Sequence, residues 1–345
     1  MIKTFKVDGR QGRSLIHVGE TLGRVCDHMP AGATPVIVTD KNIHRLYGKD
    51  FPDGPVITIG TGEKIKTLAT VEYILRELMD LGCDRSSFIL GIGGGIVCDI
   101  TGFAASVFLR GVKFGFVSTS LLSQVDASVG GKNGINLDAY KNMVGVFNQP
   151  EFVICDIDML ATLPGSEISN GLAEIVKHGL IKDIELLEFI EANRQKAMDL
   201  DRDTIFRLVA DSVDIKSRVV QKDEHEAGER RKLNFGHTIG HAVEKLDQSG
   251  HGRAVAVGMV AAARFSQKKG FLSREDVDRI KNLVQGLNLP ARADFPPEEI
   301  IAAASRDKKK EGDHLFFVFL KALGQARVEK ITFNELNAFI RAGLY

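Results

Sequence analysis

Short runs of β-branched and aromatic residues alternate with stretches of helical periodicity in the first half of the chain. Five of these runs predict strands, at residues 35–39, 55–59, 87–90, 114–117 and 152–155. Between the second and third runs, Leu68, Val71, Leu75 and Leu78 recur at helical spacing. Strands that alternate with helices imply a parallel sheet with right-handed crossovers, which binds ligands at the carboxyl ends of its strands. The first half is therefore predicted to be a Rossmann-like α/β domain.

After about residue 156 the pattern becomes mainly helical. Val277, Ile280, Val284 and Leu287 form one apolar stripe, and the capping pattern at 273–276 precedes it. The apolar run 315–319 predicts a late hairpin before a final helix. We therefore expect two domains, 1–156 and 157–345, with the active-site cleft between them, because small-molecule sites often lie between domains.

The charge balance narrows the class of partner. Of 345 residues, 45 are Lys or Arg and 45 are Asp or Glu. This balance argues against nucleic acid or an acidic membrane surface as a partner, because either needs a basic excess. The chain shows no signal segment and no apolar run of transmembrane length. Its four cysteines form no Cys-x-x-Cys pair, which fits a reducing compartment. A soluble cytoplasmic protein is the expectation.

Three consecutive glycines, Gly93 to Gly95, directly follow the third predicted strand. A turn of this kind lets the phosphates of a nucleotide approach the backbone and the following helix N-terminus. The run departs from the dinucleotide fingerprint because Ile96 occupies the last glycine position. Asp40, at the end of an earlier strand, is well placed to bind a ribose diol. Glu63 and Lys66 add polar groups at the same edge of the sheet.

The segment from Arg230 to Leu246 has two stripes if it is one helix. One is apolar, and the other contains Arg230, Asn234, His237 and His241 at the same helical spacing. A solvated helix face usually carries Lys and Glu instead. The polar stripe is therefore interpreted as the wall of a binding site.

Several side chains in the second half could bind a metal ion. His237 and His241, at positions i and i+4, could do so from one helix face. The spacing alone leaves open which three of the candidates hold a metal: Glu174, His178, His237, His241 and His251. A separate group of basic residues would bind an anion if the fold brings its members together: Lys132, Lys141, Lys216 and Lys308 to Lys310.

Five sequence segments, in the same order and spread over nearly the whole chain, resemble 3-dehydroquinate synthase, the second enzyme of the shikimate pathway. The segments are Gly93-Gly94-Gly95-Ile96-Val97-Cys98-Asp99, residues 118–132 (STSLLSQVDASVGGK), Asn170-Gly171-Leu172-Ala173-Glu174, residues 233–241 (LNFGHTIGH) and Arg306-Asp307-Lys308-Lys309. Two positions depart from the family pattern. Arg253 stands where Glu is common, and Tyr140 replaces a frequent Gly.

The resemblance implies a role for each matching position. It assigns a divalent metal, zinc or alternatively cobalt, to Glu174, His237 and His251. It assigns NAD to Asp40, Asn42, Glu63, Lys66, Gly94, Gly95, Ile96, Asp99, Thr119, Ser120, Leu122, Lys141, Thr162 and Glu167. It assigns the substrate to Asp126, Lys132, Asn142, Lys177, Lys216, Arg230, Asn234, His241 and Lys308. It also implies that Arg110 reaches the phosphate bound by a neighbouring subunit, and hence a homodimer.

The chemistry implied by the resemblance explains this inventory. The substrate would be 3-deoxy-D-arabino-heptulosonate 7-phosphate, whose carboxylate and phosphate need several basic groups. NAD would oxidise C5 transiently beside the metal, and phosphate would leave by β-elimination. Re-reduction, ring opening and an intramolecular aldol closure would then give 3-dehydroquinate. The alternatives are another sugar phosphate cyclase, a metal-dependent alcohol or polyol dehydrogenase, and a non-catalytic NAD-binding protein.

Overall fold

The computed structural model describes residues 1–9, 12–138, 140–247, 250–305 and 313–343. The strands are β1 Lys3–Gly9, β2 Gly12–Val18, β3 Pro35–Asp40, β4 Val56–Ile59, β5 Phe88–Gly93, β6 Lys113–Ser118, β7 Lys132–Leu137, β8 Tyr140–Phe147, β9 Phe152–Cys155, β10 His314–Ala322 and β11 Gln325–Thr332. The α-helices are α1 Lys41–Tyr47, α2 Leu68–Asp80, α3 Gly95–Val107, α4 Gly165–Lys182, α5 Ile184–Ala192, α6 Arg194–Met198, α7 Arg202–Lys222, α8 His237–Asp247, α9 His251–Lys268, α10 Arg274–Gly286, α11 Pro297–Ser305 and α12 Phe333–Arg341. No helix in these ranges is long and apolar enough to cross a membrane.

The chain divides into two compact units. The first comprises Met1–Leu163 and Ile205–Glu224, and the second comprises Pro164–Thr204 and His225–Tyr345. This division differs from the predicted one mainly at residues 205–224, which the sequence placed in the second domain. Most of α7 belongs to the first unit because its side chains contact residues far away in sequence. Lys216 forms an ion pair with Asp126, and Gln221 donates a hydrogen bond of 2.7 Å to the carbonyl of Lys6.

The first unit is built on a seven-stranded sheet with the order β1-β2-β9-β6-β5-β3-β4. The five predicted strands are confirmed, and they lie side by side and parallel. Their carboxyl ends meet at one edge, where Thr39 pairs with Ile92 and Ser118 pairs with both Gly93 and Cys155. The core beneath them includes Ile37, Leu90, Val117, Phe152 and Ile154.

Two hairpins of the first unit were not predicted. β1 and β2 pair antiparallel, and β2 extends the main sheet beside β9. β7 and β8 form a separate two-stranded sheet. The sequence hides β1 and β8 because most of their residues are exposed and the alternation of apolar and polar side chains is weak.

The second unit is mainly helical, as predicted. Ser273 and Asp276 form the predicted capping box at the start of α10. The predicted late hairpin is also present, since β10 pairs antiparallel with β11 before α12.

Candidate metal and cofactor sites

Helix α4 carries Glu174 at the centre of the second unit. Every residue of α4 from Ile168 to Ile181 is buried, and the Glu174 side chain has no exposed surface. Lys177, one turn further along, is also buried and forms an ion pair with Oε2 of Glu174. A carboxylate is rarely buried to this extent without a charged partner or a metal. Glu174 is therefore a candidate functional group.

Two imidazoles face the other oxygen of this carboxylate. Glu174 Oε1 is 3.7 Å from Nε2 of His237, the first residue of α8. The same oxygen is 3.4 Å from Nε2 of His251, the first residue of α9. The three ligand atoms of this group lie within 4.8 Å of one another. The fold thus brings together three candidates that spacing alone could not single out.

The His237 ring is held by a contact behind it. Its Nδ1 lies 3.1 Å from the carbonyl oxygen of Phe235, which only accepts hydrogen bonds, so Nδ1 carries the proton. The lone pair of the neutral ring is then on Nε2, the nitrogen that faces Glu174. Partners of this kind fix the tautomer and orientation of metal-binding histidines.

Close packing of α8 against α9 sets the distance between the two histidines. A side-chain carbon at Gly258 of α9 would collide with the carbonyl of Gly236 and the amide of Gly240. Gly236 itself has φ 80°, in the region that glycine tolerates. These glycines allow the two backbones to approach closely enough for His237 and His251 to share one carboxylate.

His251 lies between two carboxylates. Its Nδ1 is 3.6 Å from Oε1 of Glu244, a buried residue of α8. Burial would lower the pKa of His251, but Glu174 and Glu244 outweigh burial and raise it to about 10. The pKa of Glu174 is held well below its usual range, because Lys177 and the two imidazoles outweigh an opposing effect of burial. Burial, together with the charge of Lys177, lowers the pKa of His237.

The predicted polar stripe is corrected in one respect. Residues 230–246 do not form one helix, because a 3-10 segment, Glu229–Asn234, ends before Gly236 turns the chain into α8. Arg230 and Asn234 both lie in the 3-10 segment, so they do not share a helix face with the histidines of α8. The Arg230 side chain is buried. His241 does share α8 with His237, and their ring centres are 5.3 Å apart.

The donor set fits a divalent metal. Within the described residues Oε1 of Glu174, the oxygen that faces both imidazoles, is buried and accepts no hydrogen bond. Two imidazoles and one carboxylate form a donor set of catalytic zinc sites, which leave a fourth position open. A second group within the same unit, His241, Glu244 and His251, also has ligand atoms within 4.8 Å of one another, and it shares His251 with the first. His178, the remaining candidate, is fully buried on α4.

In the first unit, the glycine run joins β5 to α3 as predicted. Gly93 ends the strand, Gly94 is the N-cap, and α3 begins at Gly95 and runs for 13 residues. The N-cap provides no side-chain hydrogen bond, so N–H groups of the first turn remain available for an anion. Other predicted cofactor residues lie in this turn or directly after β6: Ile96, Thr119, Ser120 and Leu122.

Asp40 has a local role besides the predicted one. It is the N-cap of α1, and its Oδ1 accepts hydrogen bonds of 2.8 Å and 3.0 Å from the amides of Asn42 and Ile43. An N-cap side chain satisfies amides that the helix itself cannot. One carboxylate oxygen is thus used by the helix.

A polar network forms around Lys66, which is 5% exposed. Its ammonium forms an ion pair with Asp99 of α3 and donates a hydrogen bond of 2.6 Å to Oδ1 of Asn142. Burial raises the pKa of Asp99, and Lys66 opposes that effect. Asn142, which the resemblance assigns to the substrate, thus accepts a hydrogen bond from one predicted cofactor residue, Lys66. Asn136 also belongs to this network, and no sequence signal pointed to it.

Asp126 and Lys216, both predicted to contact the substrate, meet in the first unit. Asp126 lies in a π-helical turn, Ser123–Ala127, and its carboxylate and carbonyl both contact the Lys216 ammonium. Lys216 is 6% exposed. Short π-helical segments are frequent at functional sites.

Other predicted residues of the first unit are more exposed. Lys132 begins β7, and Lys141 lies near the start of β8. The Thr162 hydroxyl is 2.9 Å from that of Tyr47. Arg110 is exposed and, like the preceding Leu109, has a positive φ, of 69° and 49° respectively.

In the second unit, two further predicted residues have side-chain partners. Asn234 donates a hydrogen bond to the carboxylate of Glu226. Glu167 accepts a hydrogen bond of 3.2 Å from the side-chain amide of Asn170. The side-chain oxygen of Asn170 accepts a hydrogen bond of 3.2 Å from the backbone amide of Arg253, in the first turn of α9. Lys308 lies outside the described residues.

Comparison with known proteins gives a consistent result. The model of the 3-dehydroquinate synthase N-terminal domain matches residues 56–170, and that of the C-terminal domain matches residues 171–310. A curated 3-dehydroquinate synthase from Citrifermentans bemidjiense is 41% identical over 334 residues, covering 93% of this chain and 91% of that protein.

Two solved structures are similar over almost the whole chain. One is 2-epi-5-epi-valiolone synthase from Streptomyces hygroscopicus, with NAD⁺ and Zn²⁺ bound. It is 25% identical, with a TM-score of 0.88 and coverage of 98% of this chain and 97% of that one. The other is a 2-deoxy-scyllo-inosose synthase with carbaglucose-6-phosphate, NAD⁺ and Co²⁺. It is also 25% identical, with a TM-score of 0.83 and coverage of 99% and 100%.

Proposed function

The chain belongs to the 3-dehydroquinate synthase family, and from this premise we propose how it carries out that family's reaction. It converts 3-deoxy-D-arabino-heptulosonate 7-phosphate to 3-dehydroquinate and phosphate. The observation that carries this function is the convergence of Glu174, His237 and His251 in a chain 41% identical to a curated synthase. The other cyclases are less similar, at 25% identity, so the alternative substrates are not favoured.

Glu174, His237 and His251 would hold the divalent metal, which is zinc or cobalt. Two imidazole nitrogens and one carboxylate are a donor set of catalytic zinc sites, and the metal would polarise a substrate hydroxyl. Lys177 compensates part of the buried charge of Glu174 and orients its carboxylate. Glu244 orients the His251 ring from behind.

The first unit would bind NAD at the carboxyl ends of its strands. The α3 N-terminus after Gly94 binds the pyrophosphate, and Asp40 accepts hydrogen bonds from a ribose. Lys66 and Asp99 form the polar floor beside them. When bound, NAD would supply a transient oxidation of the substrate hydroxyl, which the metal would polarise. Because the oxidation is reversed later in the reaction, NAD would not be consumed.

The basic residues would bind the two anionic groups of the substrate and hold it in one conformation. In the first unit these are Lys132 and Lys216, the latter oriented by Asp126. In the second unit they are Lys177, Arg230 and Lys308, with Asn234 and His241 as further polar contacts. Holding the reacting groups in place contributes through proximity, an effect that reaches about 7–11 kcal/mol in well-oriented systems.

We further propose that the enzyme is a cytoplasmic homodimer. All four cysteines are free thiols, as expected in a reducing compartment. Arg110 is exposed and is proposed to reach the phosphate in the partner's site. Mixing Arg110→Ala subunits with Arg230→Ala subunits should restore part of the activity, since one site per dimer would then be intact. Failure to restore any activity would contradict a shared site.

The test of function is an anaerobic turnover assay on the heptulosonate phosphate. We expect phosphate release in proportion to substrate, no net NADH, and loss of activity when a chelator removes the metal. Net accumulation of NADH would instead indicate a dehydrogenase. Absence of phosphate release from the metal- and NAD-loaded protein would contradict the proposal.

A further inference from the structure

Asn136, near the end of β7, connects two segments of the first unit by three hydrogen bonds. Its Nδ2 donates a hydrogen bond of 2.8 Å to Oε1 of Glu63, and its Oδ1 accepts a hydrogen bond of 2.9 Å from the backbone amide of Asn142. Its own amide donates 2.8 Å to the carbonyl of Lys66. The side-chain amide has one possible orientation here, because the reverse would face a donor with a donor and an acceptor with an acceptor.

These contacts close a ring. Asn136 holds the amide of Asn142, Asn142 accepts from the ammonium of Lys66, and Lys66 accepts from the amide of Asn136. The ring joins the 3-10 turn Glu63–Ile65, which follows β4, to the hairpin of β7 and β8. Asn142 has φ 52°, an uncommon conformation for a residue other than glycine, and the Asn136 contact helps to hold it.

The groups held by Asn136 are otherwise exposed. Glu63 and Asn142 both lie at the surface, whereas Asn136 is half-buried and anchored in a strand. An exposed side chain or turn samples several conformations unless a contact selects one, and ordering it on ligand binding weakens affinity. A contact present before the ligand arrives removes part of that cost.

We propose that Asn136 is a positioning residue of the cofactor site. It holds Glu63 directly, and it holds Lys66 through its own backbone amide and through Asn142, in the arrangement that binds NAD. This inference rests on the proposed function, because it concerns the same cofactor. Asn136 acts through the residues it orients, not through the reacting atoms. Its loss should therefore change affinity for NAD more than the rate at saturating NAD.

Two single variants separate the two side-chain contacts. Asn136→Ala removes both and should weaken NADH binding on the order of tenfold. Asn136→Asp can still accept from the amide of Asn142, but it places a carboxylate against that of Glu63. It should weaken NADH binding at least as much as Asn136→Ala.

A reversal of polarity provides the rescue. In Glu63→Gln, the new amide can still accept from Asn136 through its oxygen, which isolates the effect of the Glu63 charge. In the double variant Asn136→Asp with Glu63→Gln, the amide of residue 63 can donate to the carboxylate of residue 136. We expect the NADH affinity of this double variant to return to within about threefold of that of Glu63→Gln alone.

A readout in the cofactor-free protein tests the geometry directly. Hydrogen exchange at the Asn142 amide should accelerate in Asn136→Ala and stay near the wild-type rate in Asn136→Asp. Asn133→Ala is the matched control, because Asn133 lies on the same strand and its side chain donates to the carbonyls of Gly131 and Asn148, neither of which is a proposed cofactor residue. This control should lower stability without a comparable loss of NADH affinity.

The outcomes distinguish the two proposals. If the wild type binds NAD and releases phosphate while both Asn136 variants bind NADH as tightly as the wild type, the positioning role is wrong and the function stands. A loss of affinity without rescue in the double variant, or matched by Asn133→Ala, also overturns it. If the wild type neither binds NAD nor releases phosphate, both proposals fail.

Discussion

The proposed metal ligands and the proposed cofactor residues are positioned in different ways. In the second unit, Glu174, His237 and His251 lie on buried helices, and packing sets their distances. In the first unit, Asp40, Glu63 and Asn142 lie on strand ends and turns, and side-chain hydrogen bonds hold them. A buried site is rigid because the core is close-packed, whereas a surface site depends on individual contacts. Mutations should therefore affect the two regions differently.

The largest expected effect is at the centre of the buried cluster. Glu174→Gln removes the anionic donor between two imidazoles, so zinc affinity should fall roughly 100-fold or more and turnover should be undetectable. Metal content by mass spectrometry and the phosphate-release assay measure both. Glu188→Gln, at an exposed side chain of α5, is the matched control and should retain metal. An active, metal-replete Glu174→Gln protein would show that the ligand assignment is wrong.

The next largest effect is a loss of stability when the ion pair between Lys66 and Asp99 is broken. Lys66→Met leaves the partly buried Asp99 without its ammonium partner and should cost roughly 2–3 kcal/mol of unfolding free energy near neutral pH. The pKa of Asp99 is already raised by burial and would rise further. A carboxyl with a raised pKa in the folded state destabilises the protein as pH increases through that pKa.

The loss in Lys66→Met should therefore shrink on acidification, which urea unfolding of variant and wild type at pH 5 and about pH 7 can measure. Adding Asp99→Asn should recover most of the stability at neutral pH. A loss that is the same at both pH values would argue that packing, rather than charge, is affected.

A smaller loss of zinc affinity is expected from changing Glu244, which contacts the proposed ligand His251. Glu244→Gln keeps an acceptor beside Nδ1 of His251 but removes the charge, so zinc affinity should fall about tenfold. Competition with a chromophoric chelator measures it. An unchanged affinity would contradict the orienting role. Loss of a second zinc equivalent would indicate instead that His241, Glu244 and His251 bind a metal of their own.

The smallest effect separates the two roles of Asp40. Asp40→Ala removes the cap of α1 and should cost about 1 kcal/mol of stability, whereas Asp40→Asn retains the cap. If Asp40 also binds a ribose, both variants should weaken NADH binding. Normal NADH affinity in Asp40→Asn would restrict this residue to capping.

Much of the fold could be predicted because its signals are local. The five β-branched runs end at glycine or polar residues, and each became a strand of the parallel sheet. The helix break at Gly236 was missed because periodicity continues through a residue whose backbone turns into the left-handed region. The hairpins β1–β2 and β7–β8 were missed because one strand of each, β1 and β8 respectively, is largely exposed and resembles a loop.

The candidate sites were harder to predict than the fold, because they depend on contacts between residues that are far apart in sequence. Histidine spacing suggested a metal site but left five candidates. The resemblance to the family singled out three of them, and the contacts between α4, α8 and α9 bring those three together. Asn136 could not be found from sequence because its partner Glu63 is 73 positions away. Glu244 had a readable signal, since it lies one turn after His241 and thus on the same face of α8.

The glycine at position 258 has a consequence for engineering. Replacing a glycine inside a long helix with alanine is a common route to a more heat-resistant enzyme, because alanine restricts the unfolded chain. A score based on helix propensity alone would select Gly258 for this purpose. Here the added methyl group would strike the carbonyl of Gly236 and force α8 away from α9. The substitution that stabilises other proteins would here weaken the packing of α8 against α9, beside the proposed metal ligands.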